Sequence, residues 1–359
     1  MAKAIDISKF RKSITKSIEG ISAGFHDPGP DDWISTGNYA LNFLISGDFT
    51  RGIPLGKFSM FSGQTGSGKS YIVSGNIIKN AQAQGIYCIL MDTENALDEA
   101  WLHALGVDTS EEKLLKFNVS LINDAAKIIN DFVKEYKTQA QEDRQKILFI
   151  IDSIGMMSSN VQQQQFINSD MKGDFGSKPK ELMALMRNCM NLIGDLGIGI
   201  VATNHSYGSA DPYNPDDKIS GGSGIVYASS IVVAMKQLKL KEDADGVKIK
   251  DVLGIRSGCK VMKTRFNKPF EDIELQIPYS SGMSPYTGFF DLIEKKKFVT
   301  KDGNRYCYTD LDGVVHKYFR KAWNRNEDGI MDLVMKEFHV KDSAITAETD
   351  DKIETENEE

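Results

Sequence analysis

Residues Gly63-Gln64-Thr65-Gly66-Ser67-Gly68-Lys69-Ser70 constrain this chain more tightly than any other feature. They match the phosphate-loop pattern G-x-x-x-x-G-K-[ST] at every fixed position. Lys57–Phe61, just before them, reads as a short strand. Lys69–Ala83 reads as a helix with apolar residues at Ile72, Val73, Ile77, Ile78 and Ala81. The order strand, glycine loop, helix is what the chemistry needs. Glycines let successive backbone N–H groups turn inward around a phosphate chain. The helix N-terminus adds partial positive charge. Lys69 is placed to reach the outer phosphates, and the Ser70 hydroxyl to ligate Mg²⁺. The expected ligand is a nucleoside triphosphate, ATP or GTP, with its metal.

From Trp33 to about Met283, strand-like and helix-like segments alternate. Strands are predicted at Lys57–Phe61, Tyr87–Thr93, Ile147–Asp152, Ile198–Asn204, Ser230–Gln237, Cys259–Arg265 and Phe270–Ile277. Helices are predicted at Lys69–Ala83, Leu121–Lys137 and Lys180–Asp195. Runs such as Ile147-Leu148-Phe149-Ile150-Ile151 are apolar throughout, the mark of strands buried on both faces. Alternation with helices predicts a mainly parallel sheet. The short link between the last two strands predicts an antiparallel edge. The fold class is therefore α/β, with a P-loop ATPase core over residues 33–283. An N-terminal helical segment and linker precede it over 1–32, and a small C-terminal α+β domain follows over 284–340. Ile7, Phe10, Ile14, Ile18 and Ile21 recur at helical spacing in the N-terminal segment. That segment can pack on a neighbouring subunit or on its own core.

The net charge of −7 misleads as an average. Residues 341–359 hold eight acidic and two basic residues, leaving −1 for the rest. So little apolar content predicts a disordered acidic tail, either a solubiliser or an electrostatic competitor for a basic groove. Cys88, Cys189, Cys259 and Cys307 lie far apart and form no C-x-x-C pair. Zinc is not indicated, and single cysteines suit a reducing cytoplasm. No apolar run reaches the roughly 18 residues of a membrane span, so no membrane partner is expected.

Asp152 ends the most apolar strand, where the second half of a phosphate-loop site belongs; its carboxylate would hold Mg²⁺ beside Ser70. Tyr87-Cys88-Ile89-Leu90-Met91-Asp92-Thr93-Glu94 is a second apolar strand ending in acids. Ligands of open parallel sheets lie at the carboxyl ends of the strands. Glu94 is thus placed to polarise water as a general base. Asp92 is its rival, because alternation puts both on one side. Lys263 and Arg265, two apart on a predicted strand, also share a side.

The run Met91-Asp92-Thr93-Glu94-Asn95-Ala96-Leu97-Asp98, followed by Leu105-Gly106-Val107-Asp108, resembles the RecA family of homologous-recombination ATPases. Ile34-Ser35-Thr36-Gly37 and Gly52-Ile53-Pro54-Leu55-Gly56 precede the phosphate loop as they do in that family. Asn204-His205 ends a strand where the family has a polar γ-phosphate sensor, and Gly221-Gly222 closes the next loop. Val261-Met262-Lys263-Thr264-Arg265 and Lys268-Pro269-Phe270 look like its interface strand. The similarity spans about residues 34–290. Asn204-His205, the Gly221-Gly222-Ser223-Gly224 turn and the acidic tail look most like the UvsX-type recombinases of tailed phages.

The resemblance implies a RecA-like core and a DNA-dependent ATPase using ATP and Mg²⁺. It implies helical filaments on single-stranded DNA that catalyse homologous pairing and strand exchange with double-stranded DNA. A single-strand-binding protein and a recombination mediator are implied partners. The implied location is on DNA in the cytoplasm, that of the host cell if this is a phage protein. Glu94 would be the general base, and His205 would sense the γ-phosphate and couple it to a DNA loop. Trp101 would lie on the adenine, with Asp98 nearby. Lys263 and Arg265 would reach a neighbouring subunit's ATP and stabilise transition-state charge. One departure stands out. Bacterial RecA carries a lysine in the helix after the double glycine, whereas Ser223-Gly224-Ile225-Val226-Tyr227 has no cation.

Two long polar segments, about 158–180 and 206–220, are expected to be DNA-binding loops. Lys172, Lys178, Lys180 and Lys218 can meet phosphates, and Tyr207 and Tyr213 can stack on bases. Asp211, Asp216 and Asp217 oppose such binding. A ring-forming helicase motor on the same core is the rival reading. A nonenzymatic mediator with a vestigial site is another, opposed by intact Lys69, Ser70, Asp152 and Glu94.

Overall fold

The computed structural model describes Ser8, Lys12 and residues 30–169, 176–208, 218–242 and 248–357. Nearly all of the predicted N-terminal helix and the centres of both predicted DNA loops lie outside the described residues. In chain order the strands are β1 Trp33–Ile34, β2 Ile53–Pro54, β3 Phe58–Gly63, β4 Tyr87–Asp92, β5 Leu114–Asn118, β6 Ile147–Asp152 and β7 Gly199–Tyr207. They continue as β8 Lys218–Ile219, β9 Ile231–Leu240, β10 Gly254–Lys263, β11 Asp272–Pro278, β12 Thr300–Asp302, β13 Arg305–Thr309 and β14 Val315–Phe319.

The main sheet runs β11-β10-β9-β3-β7-β6-β4-β5, with β8 hydrogen-bonded to β7. Strands β9, β3, β7, β6, β4 and β5 are parallel, while β10 and β11 add an antiparallel edge. The central parallel strands β3, β4, β6 and β7 are buried on both faces, so their alternate residues feed two cores. Cys88, Leu90, Leu148, Ile150 and Val201 join the phosphate-loop helix on one face. Ile89, Met91, Phe149, Ile151 and Ala202 meet helices Ile122–Thr138 and Ser177–Ile193 on the other. Each such side chain contributes about 1.5–3 kcal/mol on burial, enough to hold the strand ends in fixed register. Register places Gly63 beside His205, and Asp92 beside Asp152. Four chemistry-bearing strand ends therefore meet at one edge, as open parallel sheets require.

β5 lies at the sheet edge and was not predicted. Its Leu114-Leu115-Lys116-Phe117-Asn118 pattern is half exposed, unlike the central strands. The segment after residue 283 forms a three-stranded antiparallel sheet, β12-β13-β14, with helices Phe289–Lys295, Arg320–Asn324 and Ile330–Asn357. Its aromatic side chains merge with the main core. Phe338 packs 4.7 Å from Phe43 and 4.9 Å from Phe49, ring centre to ring centre. The closing helix extends to Asn357, where composition predicts no regular structure after residue 340. Ile330, Met331, Val334 and Phe338 dock its first turns, and a helix nucleated there propagates at little cost per residue. No helix among the described residues is long and apolar enough to cross a membrane.

Candidate active site

The phosphate loop leaves β3 at Gly63 and exposes Gln64, Thr65 and Gly66 at its tip. Its glycines mark places where a side chain cannot fit. A Cβ at Gly63 would lie 2.2 Å from the Met235 carbonyl oxygen, and Gly66 and Gly68 hold φ of +75° and +91°. The chain then enters a π-helical segment, Tyr71–Ile77, continued by helix Ile78–Ala83. Ser70 makes no side-chain capping bond to it. Lys69 is 6% exposed, and its Nζ donates to the carbonyls of Gly63 at 3.0 Å and Gln64 at 2.9 Å. Burial lowers its pKa below the usual lysine value, while Asp152 and Glu94 pull it back up.

Two carboxylates, Asp152 and Glu94, face the one lysine of this pocket, a balance of charge that a divalent cation would correct if a phosphate chain were bound. Among the described residues no cluster of three or more His, Cys, Asp or Glu can hold a metal alone. The residues present fit a cation that shares few protein ligands with phosphate oxygens and water, which is how Mg²⁺ binds. Asp152 is buried and fixed by two hydroxyls. Ser74 Oγ donates to its Oδ2 at 2.7 Å, and Thr203 Oγ1 donates to its Oδ1.

The two rival acids differ sharply in their surroundings. Asp92 is 1% exposed and accepts from the backbone N–H groups of Glu94 (3.2 Å), Ala96 (3.3 Å) and Leu97 (3.0 Å). Lys116 Nζ pairs with it at 3.0 Å. It shapes the loop that follows and has no free access to water. Glu94 lies past the end of β4, before Asn95 with φ +52°, and its side chain is 36% exposed. Its Oε1 accepts from Ser153 Oγ at 2.9 Å and meets His205 Nε2 at 2.9 Å. Thr93 and Ser153 bond reciprocally: Ser153 N donates to Thr93 Oγ1 at 2.8 Å, which donates to the Ser153 carbonyl at 2.7 Å. This clamp holds the β4 and β6 ends together beneath Glu94. Sequence reasoning missed Ser74, Thr93, Ser153 and Thr203. The available signal was the abrupt change from apolar Ile198–Ala202 to Thr203-Asn204-His205 within one strand.

His205 begins the arm of β7 that pairs with β8, with Ser206 opposite Ile219 and Tyr207 opposite Lys218. The two described ends of the second predicted DNA loop are thus antiparallel partners, and His205 at their base touches Glu94. Asn204, fully buried, ties that base together. Its Oδ1 accepts from His205 N at 2.9 Å, and its Nδ2 donates to the Ser220 carbonyl at 2.9 Å. The short turn Ile154–Met156, just before the first loop, packs on the same residue, since a Cβ at Gly155 would fall 2.5 Å from Asn204 Oδ1. Lys178 Nζ donates to the Gly155 carbonyl at 2.6 Å. Lys178 therefore braces the loop base, a role unlike the solvated phosphate contact expected of it. Lys180 and Lys218 are exposed, and Tyr207 is 56% exposed. Lys172 and Tyr213 lie outside the described residues. The first loop also contains helix Asn160–Ile167, started by a Ser159–Gln162 capping box. It presents Phe166 and Ile167, 73% and 63% exposed, beside the undescribed loop centre.

Asp98 caps helix Glu99–Ala104 by accepting from Trp101 N at 2.8 Å. Trp101 is partly buried against the core. Ile277 Cδ1 lies 2.9 Å from the Cβ position of Gly68, and Met283 N donates to the Tyr71 hydroxyl at 2.9 Å. Tyr279, two residues past Ile277, is 70% exposed there and was not anticipated. Lys263 and Arg265 stand apart from this site. Register carries Lys263 through Val232 to Met60, whereas the loop starts at Gly63. That is about 10 Å back along β3 at 3.3 Å per residue, and β10 runs the opposite way. β10 ends at Lys263 after a bulge, so Arg265 lies in a bend and the predicted strand alternation does not extend to it. Lys263 Nζ donates to the carbonyls of Val226 at 3.1 Å and Tyr227 at 2.9 Å, in the last turn of helix Ser223–Ala228. It supplies the cation that this helix lacks in its own sequence. Arg265 is exposed.

Comparison with known proteins finds relatives across most of the chain. The family model for the RecA N-terminal domain matches residues 24–284. Protein RecA of Cutibacterium acnes is 24% identical over 296 residues, covering 82% of this chain and 79% of that protein. The recombination and repair protein of Enterobacteria phage T4 is 23% identical over 300 residues, covering 80% and 70%. The mitochondrial DNA repair protein recA homolog 3 of Arabidopsis thaliana is 22% identical over 327 residues, covering 89% and 69%. The family model covers well over half of this chain, the span that carries the phosphate loop and the acids at the ends of β4 and β6, and the chain belongs to the RecA family.

Proposed function

We propose that this protein is an ATP-dependent DNA recombinase acting in recombination and repair, as the names of its relatives indicate for them. Family membership implies a DNA-dependent ATPase. The finer reading is a filament on single-stranded DNA that pairs and exchanges homologous strands. The observation that carries it is the 2.9 Å contact between Glu94 and His205. It joins an acid that faces the phosphate-loop lysine to the strand end that leads into a candidate DNA loop.

In this reading Gly63 to Ser70 cradle the triphosphate, and Lys69 exchanges its loop carbonyls for phosphate oxygens. Ser70 and Asp152 would hold Mg²⁺, which supplies charge neutralisation at the phosphates when bound. Glu94 orients and deprotonates the attacking water, while Ser153 fixes its carboxylate. Trp101 and Tyr279 flank the base. His205 exchanges contact between Glu94 and the γ-phosphate, and Asn204 passes the change to both loop bases. Lys180, Lys218 and Tyr207 face DNA backbone and bases, and Phe166 joins them as a stacking side chain. Arg265, remote from its own phosphate loop, acts on the ATP of a neighbouring subunit. Lys263, at the end of β10, supports it through its bonds to the last turn of helix Ser223–Ala228. Base pairing supplies sequence recognition, so backbone contacts suffice for the protein. A single-strand-binding protein and a mediator remain proposed partners, with the cytoplasm as the proposed setting.

The test is a homologous pairing assay with ATP, Mg²⁺, a single-stranded oligonucleotide and homologous duplex. The expected product is a joint molecule that requires ATP and homology. Unwinding of a forked duplex by a closed hexamer, without pairing, would overturn the reading in favour of a helicase motor.

A further inference from the structure

The antiparallel ribbon β9–β10 touches the phosphate loop from the side. Gln237 and Ser257 are direct cross-strand partners in it. The Ser257 hydroxyl is fully buried and donates to the Ser67 carbonyl at 2.8 Å. Gln237 lies against the loop tip, where a Cβ at Gly66 would fall 2.7 Å from its Nε2. Met235, two residues earlier on β9, completes the wall: its carbonyl crowds Gly63, and its Cε lies 3.7 Å from the Cβ position of Gly68.

We propose that Ser257 and Gln237 are positioning residues for the phosphate loop. The reasoning rests on the nucleotide reading of that loop. In a planar trans peptide the C=O and the following N–H point in opposite directions. Anchoring the Ser67 carbonyl on β10 therefore turns the Gly68 N–H away from β10, toward the inside of the loop where phosphate is bound. Ser257 thus orients a phosphate donor without touching phosphate. Gln237 limits the swing of the exposed tip, where Gly66 has a backbone that only glycine adopts readily. Together they pre-set the loop before nucleotide arrives, which raises affinity by lowering the cost of ordering it.

The test measures binding of a fluorescent ATP analogue to the full-length protein, and steady-state hydrolysis with saturating single-stranded DNA. Wild type, Ser257→Ala and Gln237→Leu are compared. Ser257→Ala should weaken nucleotide binding about fivefold to tenfold, the equivalent of one hydrogen bond. The loss should fall on KM, with kcat changing less than about twofold. Gln237→Leu, an exposed substitution that leaves the core intact, should move KM the same way by about twofold to threefold. Wild-type affinity in both variants, or losses that fall on kcat alone, would overturn the positioning role. Failure of the wild-type protein to bind the analogue would instead remove the nucleotide reading beneath it.

Discussion

Replacing Asp92 by Asn and Glu94 by Gln tests whether two acids, two residues apart, have separate duties. Asp92 accepts three backbone N–H groups and pairs with Lys116 at 3.0 Å while 1% exposed. Asn keeps one acceptor oxygen but turns the other position into a donor facing donors, and leaves Lys116 without its counter-charge. Hydrogen bonds to a charged group contribute about 1.5–3 kcal/mol, and a broken buried ion pair costs about 3–5 kcal/mol. Lys116 is 31% exposed and partly recovers its hydration. The expected loss for Asp92→Asn is therefore about 2–4 kcal/mol of stability. Glu94→Gln keeps an acceptor for Ser153 and a polar partner for His205 on a side chain that is 36% exposed. Its stability should change by less than about 1 kcal/mol, while DNA-stimulated turnover falls about 10²–10⁴-fold. Urea unfolding and a coupled ATPase assay, run on both variants, read the two effects separately. The reasoning is refuted if Asp92→Asn is fully folded yet inactive while Glu94→Gln still turns over.

Arg265→Ala should abolish most DNA-stimulated hydrolysis yet leave ATP binding by isolated monomers intact; equal loss of monomer binding would place the residue in its own subunit's site. ATP affinity should fall on the alkaline side, at a pH below the ordinary lysine value of 10.5. The sign follows from burial, which lowers the Lys69 pKa, so the charge that attracts phosphate is lost earlier as pH rises. A pH titration of nucleotide binding checks this, and an unchanged affinity up to the ordinary value would contradict it. Phe166→Ala should cost about 1–3 kcal/mol of single-stranded DNA binding with no change in salt slope, whereas Lys218→Ala should lower the slope by about one unit; fluorescence anisotropy at several salt concentrations separates the two. Gly155→Ala must displace Asn204, so DNA stimulation should drop while nucleotide binding persists; a variant with normal stimulation would show that Asn204 does not link the loops.

The parts of the fold legible in the sequence are those whose physics is local. Ile147–Asp152 is recovered residue for residue because a continuous apolar run bounded by polar residues has one reading. The β3 strand, phosphate loop and helix follow from a motif with a backbone reason for each glycine. Edge strand β5 escaped because half of its residues face solvent. Alternation does not separate Glu94, the favoured base, from its rival Asp92, because it holds only while the strand continues, and β4 ends at Asp92. The same limit applies at the bulge before Lys263. Lys178 and Lys263 read as free cations in sequence. Their partners are the carbonyls of Gly155, Val226 and Tyr227, 23 to 37 residues away, and no local pattern announces a contact of that kind. Phe166 escaped because a phenylalanine beside an isoleucine reads as core in sequence, whereas here it is 73% exposed.

In the proposed mechanism the ATP site is completed when subunits assemble on DNA. Electron microscopy of the protein with single-stranded DNA, Mg²⁺ and a slowly hydrolysed ATP analogue tests it most directly. The account predicts continuous helical filaments in which Arg265 of each subunit approaches the phosphate loop of the next. Closed rings, or dispersed monomers on DNA with each nucleotide site complete within one chain, would contradict it.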